Sequence, residues 1–106
     1  MSPREPVRVA LAGGEVLFHQ GDRGDLVYVV DEGIIDIVRS RDDGTEEKVA
    51  EIPAGNYFGE LAPMFGLQRS ASARASGATV VTGLGLREFR EQFHVADTKV
   101  LSEAAD

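Results

Sequence analysis

Glu60 and Arg69 stand nine positions apart in FGELAPMFGLQRSA, residues 58–71. A carboxylate accepts hydrogen bonds from hydroxyl groups. A guanidinium donates a planar two-pronged pair to a phosphate and keeps its charge near neutral pH. With one helical turn and a loop between them, the two can face a single cavity and grip opposite ends of a small ligand. Gly59 allows close approach of backbone to that ligand, and a short helix starting near Glu60 or Leu61 would aim its N–H groups at an anion. Pro63 suits the first turn of such a helix, where its missing N–H removes no intrahelical bond, and Gly66 ends it. Ser70 adds a hydroxyl beside Arg69. Together these residues predict a ligand with hydroxyls at one end and a phosphate at the other, a nucleotide or sugar phosphate. Taken singly they have plainer readings, Glu60 as a solvated carboxylate or helix-start residue and Arg69 as a surface charge. Their joint placement with Gly59 and Ser70 favours binding.

The elements that would position this set are mainly β. Turn-forming clusters at AGG, QGDRGD, DEG, RDDGTE, PAGN and MFGLQ punctuate the first eighty or so positions, with stretches rich in Val, Ile, Leu, Phe and Tyr between them. Residues 15–19 alternate, 26–30 are more continuously apolar as in a buried strand, and 34–38 form a further strand. The Asp43-Gly44 pair predicts a hairpin from there into 48–52, with Asp42 and Asp43 at a solvated tip. Strands over 72–76 and 79–84 follow, with Arg74 on a solvated position. From Leu86 the period changes: Leu86, Phe89, Arg90 and Phe93 recur at helical spacing, predicting a helix to about 95. Asp97 would cap a second short helix over 97–101. The reading is one domain over 1–106, an antiparallel β jelly-roll (a double-stranded β-helix) over about 7–85 and a helical segment over about 86–104. Gly21, Gly33 and Gly55 are read as turn residues, and Phe18, Tyr28, Tyr57, Phe58 and Phe65 as core or cavity wall.

Bulk chemistry narrows the function. The net charge of −7 and pI near 4.7 repel nucleic acid and anionic membranes at long range, so an anionic ligand has to be captured locally. The absence of cysteine excludes a disulfide framework and a thiolate metal site and suits a cytoplasmic setting. Apolar runs fall short of a membrane span, and MSPREPVRV lacks the apolar core of a signal peptide. The expectation is a soluble domain, cytoplasmic by itself or as the cytoplasmic part of a larger protein.

FGELAPMFGLQRSA resembles, residue for residue, the phosphate-binding cassette of the cyclic nucleotide-binding domains, whose pattern is approximately FGELAxxxxxxR(S/T/A)A. GDRGDLVYVVDEG, residues 21–33, is similar to that family's Gly-Asp loop, Tyr-x-Val strand and glycine turn, and PAGNYFGE to its approach to the cassette. The resemblance covers roughly positions 9–95. It implies that Glu60 accepts the ribose 2′-hydroxyl, that Arg69 pairs with the cyclic phosphate, and that backbone N–H groups near Gly59, Leu61, Ser70 and Ala71, with Ala62 beside them, complete the cradle. Ser70 followed by Ala71 resembles the bacterial cAMP-responsive members, which implies cAMP rather than cGMP as ligand. No metal or other cofactor is implied. Pro63 and Gln68 depart from the family's more frequent residues, an ordinary apolar residue and a proline, and both fit a short helix and loop.

The implied function is a ligand-sensing regulatory module that binds without chemistry, relays a conformational change through its C-terminal helices, and acts on an unidentified effector. Other classes compete. A cupin-like metalloenzyme shares the architecture but needs a histidine cluster, and this chain has two isolated histidines, His19 at a strand end and His94 on or just after a helix. A catabolite-activator type DNA-binding regulator needs a recognition helix, which this segment lacks. A degenerate β-roll scaffold with an emptied pocket usually loses the arginine or the glutamate, and both are present here.

Overall fold

The structure is a computed structural model that describes residues 5–93. Eight strands and two helices follow one another: β1 (Val7–Leu11), β2 (Val16–Phe18), β3 (Leu26–Glu32), β4 (Ile34–Ser40), β5 (Glu46–Pro53), β6 (Tyr57–Phe58), α1 (Leu61–Phe65), β7 (Ser72–Ala75), β8 (Thr79–Gly85) and α2 (Leu86–Phe93). His94 and the expected helix over 97–101 lie outside the described residues. The strands form two four-stranded sheets, β1-β8-β3-β6 and β2-β7-β4-β5, and every pairing is antiparallel. This is the β-roll that the turn spacing predicts. Among the described residues no helix is long and apolar enough to cross a membrane.

The main core draws on both sheets: Leu11, Val30, Phe58 and Val81 come from the first, and Ile35, Ile37, Ala73 and Ala75 from the second. On β7 the alternation is strict, with Ala73 and Ala75 buried while Arg74 faces out, 3.5 Å from Glu46. Their small side chains leave room beneath the large ones opposite. On β4 a bulge between Ile37 and Val38 breaks the alternation, so these consecutive residues are both buried.

A second cluster lies on the other face of the first sheet. Val27 and Leu84 are cross-strand partners in it, and Phe89 of α2 packs onto them with Tyr57, Met64 and Phe93 around. Residues 26–30 read as continuously apolar because β3 is buried on both faces, Val30 toward the roll interior and Val27 toward α2. The helical spacing of Leu86, Phe89 and Phe93 is the matching half of that contact.

The hairpin tip is built as its composition predicts. Arg41 N–H donates to Thr45 O and Gly44 N–H to Arg41 O, Gly44 takes φ +87°, and Asp43 accepts from Thr45 N–H at 2.9 Å. Gly33, between β3 and β4, carries the chain from one sheet to the other. It has φ +83°, and a Cβ there would lie 2.5 Å from Ala78 O and 2.6 Å from Thr79 Oγ1. Because both the backbone and the space exclude a side chain, Gly33→Ala is expected to cost about 1–3 kcal/mol or more. A lower urea midpoint with an unchanged denaturant slope would show it.

Candidate functional site

Between Phe58 and Ala71 the chain leaves the sheet, makes one helical turn and returns. Glu60 precedes α1 with φ −77° and ψ −22°, and Met64 N–H donates to Glu60 O at 3.1 Å. Gly66 ends the turn in the left-handed region at φ +66°, and Leu67 N–H donates to Ala62 O at 3.0 Å. Pro63 is the third residue of α1, within the first turn, where no donor is required of it. The broken sequence is therefore a compact cassette.

The loop between β2 and β3 holds the returning strand in place. Gly21 N–H donates to Arg69 O at 2.8 Å, Arg69 N–H donates to Asp22 O at 2.7 Å, and Arg23 forms an isolated bridge with Gln68. The Arg69 side chain then runs inward. Its Nη1 donates to Gly59 O at 2.6 Å, its Nη2 donates to Leu26 O at 2.8 Å, and its guanidinium carbon lies 4.1 Å from the centre of the Phe18 ring. Arg69 is 5% exposed, and its Nε is buried with no hydrogen-bond partner.

Burying a guanidinium in an apolar roll costs several kcal/mol unless charge or hydrogen bonds answer it. Burial pushes Arg69 below its ordinary pKa, and the charges or dipoles of Tyr28, Asp25, Asp22 and Glu60 push it back up. The side chain stays cationic near neutral pH. Glu60 is 0% exposed, and its side chain makes no capping hydrogen bond to α1. The field of its carboxylate reaches Tyr57, whose phenol is raised first by burial and further by Glu60. Among the described residues, Glu60 and Arg69 are the charged side chains that are buried.

A cavity of about 230 Å³ opens against Arg69. Gly59, Leu61, Ala62, Arg69, Ser70 and Ala71 line it, so six of the seven candidate residues are brought together. Glu60 is the exception, wholly buried beside the cavity lining. Phe18, Ile37, Phe58, Leu67 and Gln68 form the rest of the wall. Phe18 and Phe58 match their reading as core or cavity wall. Phe65 does not: it is 55% exposed at the end of α1 and lines nothing, because the single turn points it away from the roll. Ile37 carries no motif signal, and only the packing of β4 brings it in, whereas Leu67 and Gln68 come with the cassette itself. The volume lies below the usual range for drug-sized ligands and suits a compact one. Among the described residues there is no group of three or more His, Cys, Asp or Glu that could hold a metal ion.

Comparison with known proteins agrees with this geometry. The model of the cyclic nucleotide-binding domain matches residues 8–95, and the chain belongs to that family. It is 44% identical over 100 residues to an uncharacterized ABC transporter ATP-binding protein of Mycobacterium tuberculosis, covering 94% of this chain and 30% of that protein. The chain therefore spans about a third of the length of such relatives. Among solved structures it is similar to the catabolite activator protein of Thermus thermophilus, with TM-score 0.75 and 29% identity over 84% of this chain and 42% of that one. It is also similar to the regulatory domain of Toxoplasma gondii protein kinase A in co-crystal with cAMP, with TM-score 0.77 and 28% identity over 92% of this chain and 38% of that one.

Gly59 and Gly66 both have positive φ, +80° and +66°, but only at Gly59 would a Cβ meet a neighbour, Arg69 Nη1 at 2.7 Å. Gly66→Ala is expected to cost about 1–2 kcal/mol of left-handed strain. Gly59→Ala should lose more, because it also disturbs the Arg69 hydrogen bond, typically by about 1–3 kcal/mol further. Urea unfolding of the two variants compares them directly, and equal losses would mean that Gly59 serves the backbone alone.

Proposed function

We propose that this domain binds a cyclic nucleotide, cAMP in preference to cGMP, as a regulatory sensing module that works by binding and not by catalysis. The observation that carries this reading is the buried pair: among the described residues the buried charged side chains are Glu60 and Arg69, the residues of the cassette suited to hydroxyls and to phosphate. Arg69 lines the cavity, and Ser70 and Ala71 follow it along the same wall. In this reading Arg69 pairs with the cyclic phosphate and Glu60 accepts the ribose 2′-hydroxyl. Backbone N–H groups near Gly59, Leu61, Ser70 and Ala71 complete the cradle.

Ser70 followed by Ala71 supports cAMP, as does the structural similarity to a kinase regulatory domain holding cAMP. A signal leaves through contacts already in place. Tyr57 packs edge-on against Phe89 at 4.7 Å between ring centres, and Met64 of α1 joins the same cluster, so movement of the cassette is felt by α2. The similarity to part of an ABC transporter ATP-binding protein supports a sensing module within a larger protein.

Titration calorimetry with cAMP and with cGMP tests the proposal. Heat is expected with both and tighter binding with cAMP; silence with both at high micromolar concentration leaves an emptied scaffold as the reading. Arg69→Ala should weaken binding by about 2–5 kcal/mol, roughly thirtyfold to several thousandfold. An unchanged affinity in that variant would place the phosphate elsewhere.

A further inference from the structure

The loop between β2 and β3 contains GDRGD, residues 21–25, and its two glycines answer different demands. Gly21 has φ +91°, and a Cβ there would meet nothing within 4 Å, so its backbone is what requires glycine. Gly24 has no positive φ, so no left-handed backbone bars a side chain there. Space forbids one. A Cβ at position 24 would fall well inside contact distance of Arg69 Nε and Cζ and lie 2.6 Å from Nη2, where carbon contacts ordinarily begin near 3.5 Å.

We propose that Gly24 is a positioning residue for Arg69: its missing side chain forms the slot in which the guanidinium lies, and so sets where the phosphate-binding fork of the cassette is held. The proposal rests on the cyclic-nucleotide reading above for the identity of the ligand. It rests on packing alone for the slot.

Three restraints decide where a clash at position 24 would be felt. The Arg69 backbone is fixed on the same loop by its bonds to Gly21 and Asp22. Its Nη1 and Nη2 are fixed on Gly59 O and Leu26 O, and Phe18 lies 4.1 Å from its guanidinium carbon. The flexible part of the contact is therefore the guanidinium end, which can yield only by giving up those hydrogen bonds. Substitution at Gly24 thus moves the fork before it moves the fold. A residue that merely shaped the loop would show the opposite order.

A double-mutant cycle on the full chain tests this, with Gly24→Ala, Arg69→Ala and the double variant followed by thermal unfolding without ligand and by calorimetry with cAMP. Gly24→Ala is expected to weaken cAMP binding by about tenfold or more, since a misplaced fork loses its bidentate geometry. It should lower the unfolding temperature in the wild-type background and leave it nearly unchanged in the Arg69→Ala background, where nothing fills the slot. Equal loss of unfolding temperature in both backgrounds, or wild-type affinity in Gly24→Ala, would overturn the proposal. Should Gly24→Ala alone fail to fold, recovery of folding in the double variant supports the slot and continued failure overturns it. If the wild-type chain binds no cyclic nucleotide, the functional reading falls and the role in binding falls with it. The unfolding cycle still reports on the slot, so the two failures are told apart.

Discussion

A guanidinium buried inside an acidic β-roll is the constraint around which this domain is arranged. Water would solvate Arg69 at no cost, so the fold has to replace that water with fixed dipoles and charge. It does so with two backbone carbonyls from different elements, Gly59 O and Leu26 O, with the face of Phe18, and with the nearby fields of Asp22, Asp25 and Glu60. Each partner commits a segment: the Leu26 carbonyl fixes the start of β3, and the Gly59 carbonyl fixes the step into α1. The loop 20–25 then has to lie across the Arg69 backbone, as its hydrogen bonds show. One buried cation thereby ties together three stretches that are far apart in the chain.

The cavity beside it is a consequence of unequal side chains. Small Ala62 and Ala71 line it together with large Phe18 and Phe58, and the small residues leave a volume that close packing would otherwise remove. Phe18 and Phe58 of this wall pack with Tyr28, their ring centres within about 6 Å of one another, Tyr28 stacked on Phe58 and both tilted to Phe18. Strand alternation places Tyr57 on the opposite face from Phe58, so adjacent residues address α2 and the cavity respectively. A shift at the cassette thus has a short route to the helix. The net charge of −7 repels long polyanions, whereas the Arg69 guanidinium is a local positive charge within that acidic surround.

Much of this was legible in advance. The strand segments from residue 15 to residue 84 and the helix from Leu86 carry their periodicity openly, because each has one or two faces that must be buried. The cassette was legible through Gly59, Pro63 and Gly66, residues whose backbone limits allow few conformations. β6, only Tyr57–Phe58, has no room for a period, so its sequence marks two apolar residues before the cassette and no strand. Phe65 is exposed where its sequence suggests core or cavity wall for a related reason: an apolar residue in a single helical turn has no second turn to show which way it faces.

By itself the sequence determined the antiparallel β architecture, the family and the residues of the cassette, since these follow from local backbone limits, alternation and a contiguous motif. Tertiary structure alone decided what surrounds Arg69. Leu26 lies 43 positions from it and Phe18 lies 51, and neither distance in the chain predicts a contact in space. It also decided that Gly24, where no left-handed backbone bars a side chain, has no room for one, because the atoms that exclude it arrive from the far end of another segment. Local chemistry is written along the chain, whereas exclusion of volume exists only once the chain has folded back on itself.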